Sequence, residues 1–308
     1  MTGKPEPTVY VWLPALPATG AASALRALLV RADRLGDGRA GYLTGLGDYF
    51  AGADNALAAA AITREHVAHD AGTDTWLSAD PAWVQPEMNG VRLLACGQLQ
   101  LTTDEALAFA DALQPAFDDA GIALEITTPD RWHLRLPPNT QLPRFSAPEQ
   151  ALGEDLSQHL PQGAEGKRWR VLINDIQVLL HQHPLNSARR SRGLAPVNSL
   201  WLWGGGALSP LLPSTLTGAI SDDLLLNALA ARAGIQRLAR TEDAVAAATN
   251  GWLIDLQDLP IREIESAWLP VIDALMHRHS LRLHFASGER WQSQPWHRWR
   301  LWRRATRR

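Results

Sequence analysis

At 308 residues, 46% hydrophobic and 20% charged, the chain has ordinary globular composition and length for two domains or one large α/β unit. No apolar run approaches the ~18 residues of a membrane span, and the N-terminus lacks the basic start and long apolar core of a signal peptide, so no membrane association is expected. The single cysteine, Cys96, excludes an internal disulfide framework and fits a reducing cytoplasm, and the net charge of −3 gives no global attraction to nucleic acid.

Val9–Leu13 reads as a short buried strand ending at Pro14, and Ser23–Leu35 as a helix with Leu25, Leu28, Leu29 and Ala32 on one face. Ala53–Asp70 is a second, alanine-rich helix. Trp76–Met88 shows no clear period. Val91–Leu101 is strand-like, and Thr102 with Glu105 forms a capping-box pattern that starts a helix to about Ala120. Ala123–Thr127 and Arg131–Leu136 follow as strands around Pro129-Asp130. These elements make a β-α-β-β block at 91–136. The proline-rich stretch 137–148 is the expected linker, separating an N-terminal α/β region, 1–136, from a C-terminal one, 149–308.

In the second region, Glu149–His159 is a short helix and Lys167–His183 a strong one, with apolar residues at 3.6-residue spacing. Ser199–Trp203 is a strand that runs into Gly204, Gly205 and Gly206. Ser221 is the expected cap of a helix to Ala233, and Trp252–Leu256 is a strand. Ile261–His279 is a helix interrupted near Pro270. Leu281–Phe285 and Trp296–Trp302 read as two arms of a hairpin around Ser287-Gly288. The expected fold class is α/β, a mixed sheet flanked by helices, with the smaller β-α-β-β block in the first half.

The densest group of hydrogen-bonding and aromatic residues lies at 181–206. Asn174, Gln177 and His181 form a polar stripe on the helix before Pro184. His181 and His183 point roughly 200° apart on a helix, and no nearby carboxylate or cysteine completes a metal set. Asn186, Arg189, Arg190 and Arg192 follow, and guanidinium groups match carboxylate and phosphate. Trp201 and Trp203 share one strand face, and the glycine triplet allows close backbone approach. The triplet is neither a Walker A loop nor a dinucleotide fingerprint. Each of these features also has a structural reading: a solvated helix face, a basic loop, a tight packing turn.

The tail, residues 298–308, holds six arginines and no acid. It alternates arginine with Trp299 and Leu301, the pattern of a half-buried strand with a basic outer face, so nucleic-acid binding is not the favoured use.

The segment N-S-L-W-L-W-G-G-G at Asn198–Gly206 resembles a segment of archaeal-type cofactor-independent phosphoglycerate mutases. The chain is more closely similar to a related bacterial family, the RpfE-type regulatory proteins. The motifs that carry this are W-L-S-A-D-P-A-W-V at 76–84, M-N-G-V-R-L-L-A-C-G at 88–97, L-T-T-D-E-A at 101–106, R-W-H-L-R-L at 131–136, H-Q-H-P-L-N at 181–186 and R-W-R-L-W-R at 298–303. The resemblance implies an alkaline phosphatase-type scaffold, in which aspartates and histidines hold two divalent metals, a serine carries the phosphoryl group, and the first strand ends in a metal-binding aspartate. Here Val9–Leu13 runs into Pro14-Ala15-Leu16-Pro17, with no aspartate or adjacent serine, although Asp255 follows a later strand. The expectation is therefore a cytoplasmic regulatory or binding protein without catalytic residues, metal or cofactor. Its expected ligand is an anionic small molecule on Asn174, Gln177, His181, His183, Asn186, Arg189, Asn198, Trp201, Trp203, Gly204, Gly205 and Gly206, and a protein partner stays open. A metal-dependent mutase and an interaction module using the tail are the alternatives.

Overall fold

The computed structural model describes residues 8–16, 24–88, 90–137 and 140–300. The protein is mixed α/β and divides into two compact units: residues 1–54 with 211–308, and residues 55–210. The proline-rich stretch 137–148, where the sequence suggests a boundary, lies inside the second unit. The reason is the pairing of Thr8–Leu13 with Ser280–Phe285, which draws both ends of the chain into one sheet. Parallel partners need a crossover connection and are not neighbours in sequence.

The first unit holds a seven-stranded sheet in the order Asp33–Arg34, Arg290–Ser293, Ser280–Phe285, Thr8–Leu13, Trp252–Asp255, Gly218–Ile220, Gln236–Leu238. The last five run parallel, and the first two are antiparallel to their neighbours. Thr8–Leu13 sits mid-sheet with helices on its faces, so nearly every residue is buried and its sequence shows no alternation. Helices Ala24–Leu29, Leu224–Arg232 and Leu269–Met276 flank it. The helix after Ser221 begins at Leu224 with Asp223 as its cap, because Asp223 Oδ1 takes the Leu226 N–H while the Ser221 hydroxyl receives the Asp223 N–H. The final hairpin closes with Arg290–Ser293. Pro295, which has no N–H for a ladder, starts a 3₁₀ turn through Trp299 where a second arm was expected. The rest of that arm and of the arginine-rich tail, from residue 301, lies outside the described residues.

The second unit is an antiparallel sheet built on the long strand Thr75–Glu87. On one side it pairs with Arg131–Leu136 and Gly90–Cys96, on the other with Ser199–Ala207; Ala123–Thr128 pairs with Arg131–Leu136. The elements expected at 91–136 are present, but they share this sheet with two further strands. Helix Thr103–Ala120 carries the expected capping box. Together with Gly163–His181 it covers the face made by Leu77, Ala79, Trp132, Leu134, Leu200 and Leu202. Helix Ala59–Ala68 covers the opposite face, its Ala60 and Ala61 clustering with Trp76 of the long strand. Thr75–Glu87 lacks a sequence period because residues 76–82 are buried on both faces and Pro81 interrupts the apolar run.

No helix among the described residues is long and apolar enough to cross a membrane.

Candidate functional site

The residues of 174–206 do not converge on a shared cavity. Asn174 and His181 are exposed on the helix surface. Gln177 donates to the Ser199 hydroxyl at 3.2 Å. His183 lies against the Phe109 ring at 4.6 Å, and partial burial lowers its pKa. Asn186 is buried and ties three backbone groups together: it donates to the carbonyls of Leu180 (2.7 Å) and Val197 (2.8 Å) and accepts the Val197 N–H at 2.8 Å. Asn198 completes the ladder in place of a backbone unit, accepting the Val84 N–H and donating to the Val84 carbonyl, both at 2.8 Å.

Arg189, the side chain most suited to an anion, is fully buried. Its guanidinium donates to Glu105 at 2.6 Å, to the Ala195 carbonyl at 2.9 Å and to the Leu99 carbonyl. Glu105 also takes a hydrogen bond from Arg192 and the Thr102 N–H. Burial acts to raise the Glu105 pKa, but the bonds from Arg192 and Thr102 and the two positive charges prevail, holding it below its usual range. Arg189, in the short helix Leu185–Ser191 and not in a basic loop, therefore fastens that helix and the turn after it onto the start of helix Thr103–Ala120.

The glycine triplet serves close packing. A Cβ on Gly204 would stand 2.9 Å from the Ala59 Cβ, and one on Gly206 2.8 Å from the Ala58 Cβ; Gly204 also has φ of +63°. A Cβ on Gly205 would reach Leu142 at 2.7 Å. The void lined by Gln177, Ser199 and Trp201 is about 20 Å³, room for no more than about a single water. A metabolite does not fit there.

The two tryptophans use their N–H groups internally. Trp201 donates to the Ser146 carbonyl at 3.0 Å, and Trp203 to Asp80 Oδ2 at 2.7 Å. Asp80 is buried on the same sheet face as Ser78 and His133. The same Oδ2 takes Arg131 at 2.7 Å, and the Arg131 guanidinium lies 5.1 Å from the Trp203 ring. Burial raises the Asp80 pKa, opposed by the Arg131 charge and the Trp203 bond. Asp80 Oδ1 and Ser78 Oγ are buried without a hydrogen-bond partner among the described residues. His133 bridges Thr63 (2.9 Å) and Thr127 (2.6 Å), and burial with the charges of Arg131 and Arg64 lowers its pKa to about 3. It is a neutral structural bridge at pH 7. Burial likewise pushes the Cys96 thiol well above its usual range, so it is not an activated nucleophile.

In the first unit, chemistry-bearing residues collect at the carboxyl ends of the parallel strands, where open α/β sheets place their ligands. The sequence singles out Ser221 and Asp255 separately, as a helix cap and a strand-end acid, and does not join them. Asp255 is fully buried; its Oδ2 accepts the Ser221 hydroxyl at 2.7 Å and its Oδ1 the Gln257 N–H at 3.3 Å. Burial, with the charges of Asp223 and Asp258, raises its pKa to about 7, against the Ser221 bond. Asp223 accepts the Tyr42 hydroxyl, and the Tyr42 ring stacks on Trp12 at 5.5 Å. Arg240 binds Asp258, approaches Asp222 at 3.5 Å and donates to the Asp255 carbonyl at 3.0 Å. Tyr49 and His284 Nδ1 are 2.7 Å apart, and burial lowers the His284 pKa to about 3. The available signal was an aspartate closing a buried strand in W-L-I-D and two more in S-D-D at the next strand's end.

These residues do not fit a divalent metal pair. Among the described residues no three His, Cys, Asp or Glu side chains group so as to hold a metal. Burial raises the Asp255 pKa to about 7, favouring its protonated form, and the Arg240 guanidinium lies between Asp222 and Asp258.

No protein-family model matches the chain. A segment of 78 residues is 37% identical to a probable 2,3-bisphosphoglycerate-independent phosphoglycerate mutase of Geobacter sulfurreducens, covering 24% of this chain and 19% of that protein. Segments of 66 and 59 residues are 38% and 39% identical to such mutases of Methanothrix thermoacetophila and Methanosarcina mazei, over 21% and 19% of this chain. The matches span 17% and 15% of those two proteins, so the chain aligns with less than a fifth of each of these relatives. Among solved structures it is similar to the PH0037 protein of Pyrococcus horikoshii, with TM-score 0.46 and 11% identity over 94% of this chain and 88% of that one. It is also similar to a cofactor-independent phosphoglycerate mutase of Thermoplasma acidophilum, with TM-score 0.35 and 12% identity over 94% and 89%. The chain thus carries a cofactor-independent phosphoglycerate mutase-like segment within a mixed α/β fold.

Proposed function

We propose that this chain is a cytoplasmic binding or regulatory protein of the RpfE type, which keeps a phosphoglycerate mutase-like scaffold without metal-dependent phosphoryl transfer and recognises an anionic small molecule. The observation that carries the reading is the occupation of the strand-end carboxylates by the chain's own groups. Asp255 is held by Ser221, Asp223 by Tyr42, and Asp222 and Asp258 by Arg240. A divalent ion would have to displace a guanidinium and strip a proton from a buried acid, both unfavourable. The mutase reading draws on the similar segment, and one assay separates the two. Purified protein is incubated with 3-phosphoglycerate and Mn²⁺, Mg²⁺ or Co²⁺, and 2-phosphoglycerate is followed by ³¹P NMR. No conversion is the expected result; metal-dependent conversion overturns the proposal.

A protein partner is supported by the turn Pro295–Trp299, where Trp296 and Trp299 are 56% and 65% exposed. Aromatic side chains are enriched at interfaces for their large contact area.

A further inference from the structure

In the first unit, a cleft of about 300 Å³ lies at the edge of the parallel sheet, beside the edge strand Gln236–Leu238. Trp252, Gly218 and Gln236 are direct partners in three adjacent strands and so share one sheet face. A Cβ on Gly218 would stand 2.5, 2.6 and 2.7 Å from three atoms of the Trp252 indole. The ring therefore lies flat on the Gly218 backbone, a close approach that glycine permits. Its other face is turned away from the sheet and floors the cleft. Ala244, Ala247 and Ala248, from helix Glu242–Ala246 and the turn after it, continue the lining. Their methyl groups leave a slot that longer side chains would fill. Leu238, 45% exposed, extends the apolar lining along the strand edge. Gln236 is exposed at the rim, and its side-chain amide makes no hydrogen bond among the described residues. Arg237 is the one charged residue among the described residues that line the cleft. The volume meets the lower end of small-molecule sites, roughly 300–1,000 Å³.

We propose that this cleft takes the planar nitrogen-heteroaromatic ring of a free small molecule, stacked on Trp252 with its hydrogen-bonding edge on the Gln236 amide. An indole face held flat against a glycine gives a stacking platform, and the alanine lining admits a thin ring more readily than a puckered one. A glutamine amide carries donors and an acceptor side by side. It therefore matches a ring edge on which a nitrogen acceptor adjoins an amino donor, as on adenine. The site recognises an uncharged ring and goes beyond the anionic ligand proposed above, so either can fail without the other.

The test is ligand-observed NMR titration of the full chain with adenine, indole and cyclohexanecarboxamide. Adenine is expected to bind saturably. Indole, which lacks the acceptor edge, should bind about tenfold more weakly, and the puckered, saturated amide weaker still. Gln236→Ala, at the exposed rim, is expected to weaken adenine about tenfold and leave indole unchanged. Ala247→Leu, also at an exposed position, fills the slot and should abolish adenine binding with the thermal midpoint retained. Absence of saturable adenine binding overturns the proposal, as does equal affinity for indole or cyclohexanecarboxamide. Unchanged adenine affinity in both variants overturns it too. So does binding of single-stranded oligoadenylate without binding of adenine, which would make the site a nucleic-acid contact.

Discussion

Arg189→Ala is the most informative single substitution, because the sequence suggests a ligand contact there and the structure makes it a strut. The arginine is fully buried and donates to Glu105, to Leu99 and to Ala195. Its removal leaves two backbone carbonyls short of a donor and Glu105 with Arg192 and the Thr102 N–H. Breaking a buried ion pair by deleting one partner costs about 3–5 kcal/mol. For a unit of this size each kcal/mol moves the melting temperature by roughly 2–4 °C, so the midpoint should fall by roughly 6–20 °C. Replacing both partners with apolar residues, Arg189→Met with Glu105→Leu, should recover part of the loss, since no buried charge then stands alone. Urea denaturation followed by far-UV circular dichroism, together with scanning calorimetry, reads both effects. A loss below about 1 kcal/mol for Arg189→Ala would refute this reasoning, because a guanidinium with three internal partners cannot be removed so cheaply.

Three other outcomes follow from the same geometry. Gly204→Ala places a Cβ 2.9 Å from Ala59 at a residue with φ of +63° and should cost about 1–3 kcal/mol, measured by denaturation; a neutral result would mean that the helix Ala59–Ala68 yields freely. Asp255 has its folded pKa raised to about 7. Its folded state holds a proton that the unfolded state releases above about pH 4, so this group's contribution to stability falls as pH rises from there to about 7. Asp255→Asn should remove that decline, and parallel pH–stability curves for the two proteins would contradict it. His133 and His284 have folded pKa values lowered to about 3. Each favours folding fully above its unfolded value of about 6.5 and loses that contribution as pH falls toward 3. NMR titration of their ring protons should show no protonation at pH 5, and a midpoint near 6 would overturn the assignment.

What could be read from the sequence was local. The capping box of Thr102 and Glu105 and the apolar stripe of Lys167–His183 lie within a few residues and appear where expected. The strand Thr75–Glu87 was hidden because burial on both faces removes alternation. The partners that decide the chemistry are remote. Arg189 meets Glu105 across 84 positions and Ser221 meets Asp255 across 34. An arginine in a short motif looks like a ligand contact until its carboxylate is located. The unit boundary was hidden for the same reason, since Thr8–Leu13 finds its neighbours at 252–255 and 280–285.

We propose that the strand-end carboxylates serve the chain's own hydrogen-bond network and hold no metal. Titration of Mn²⁺ into the full chain, followed by electron paramagnetic resonance, tests it most directly. No stoichiometric site is expected, and wild type and Asp255→Asn should give the same signal. Tight, stoichiometric binding that Asp255→Asn abolishes would contradict it.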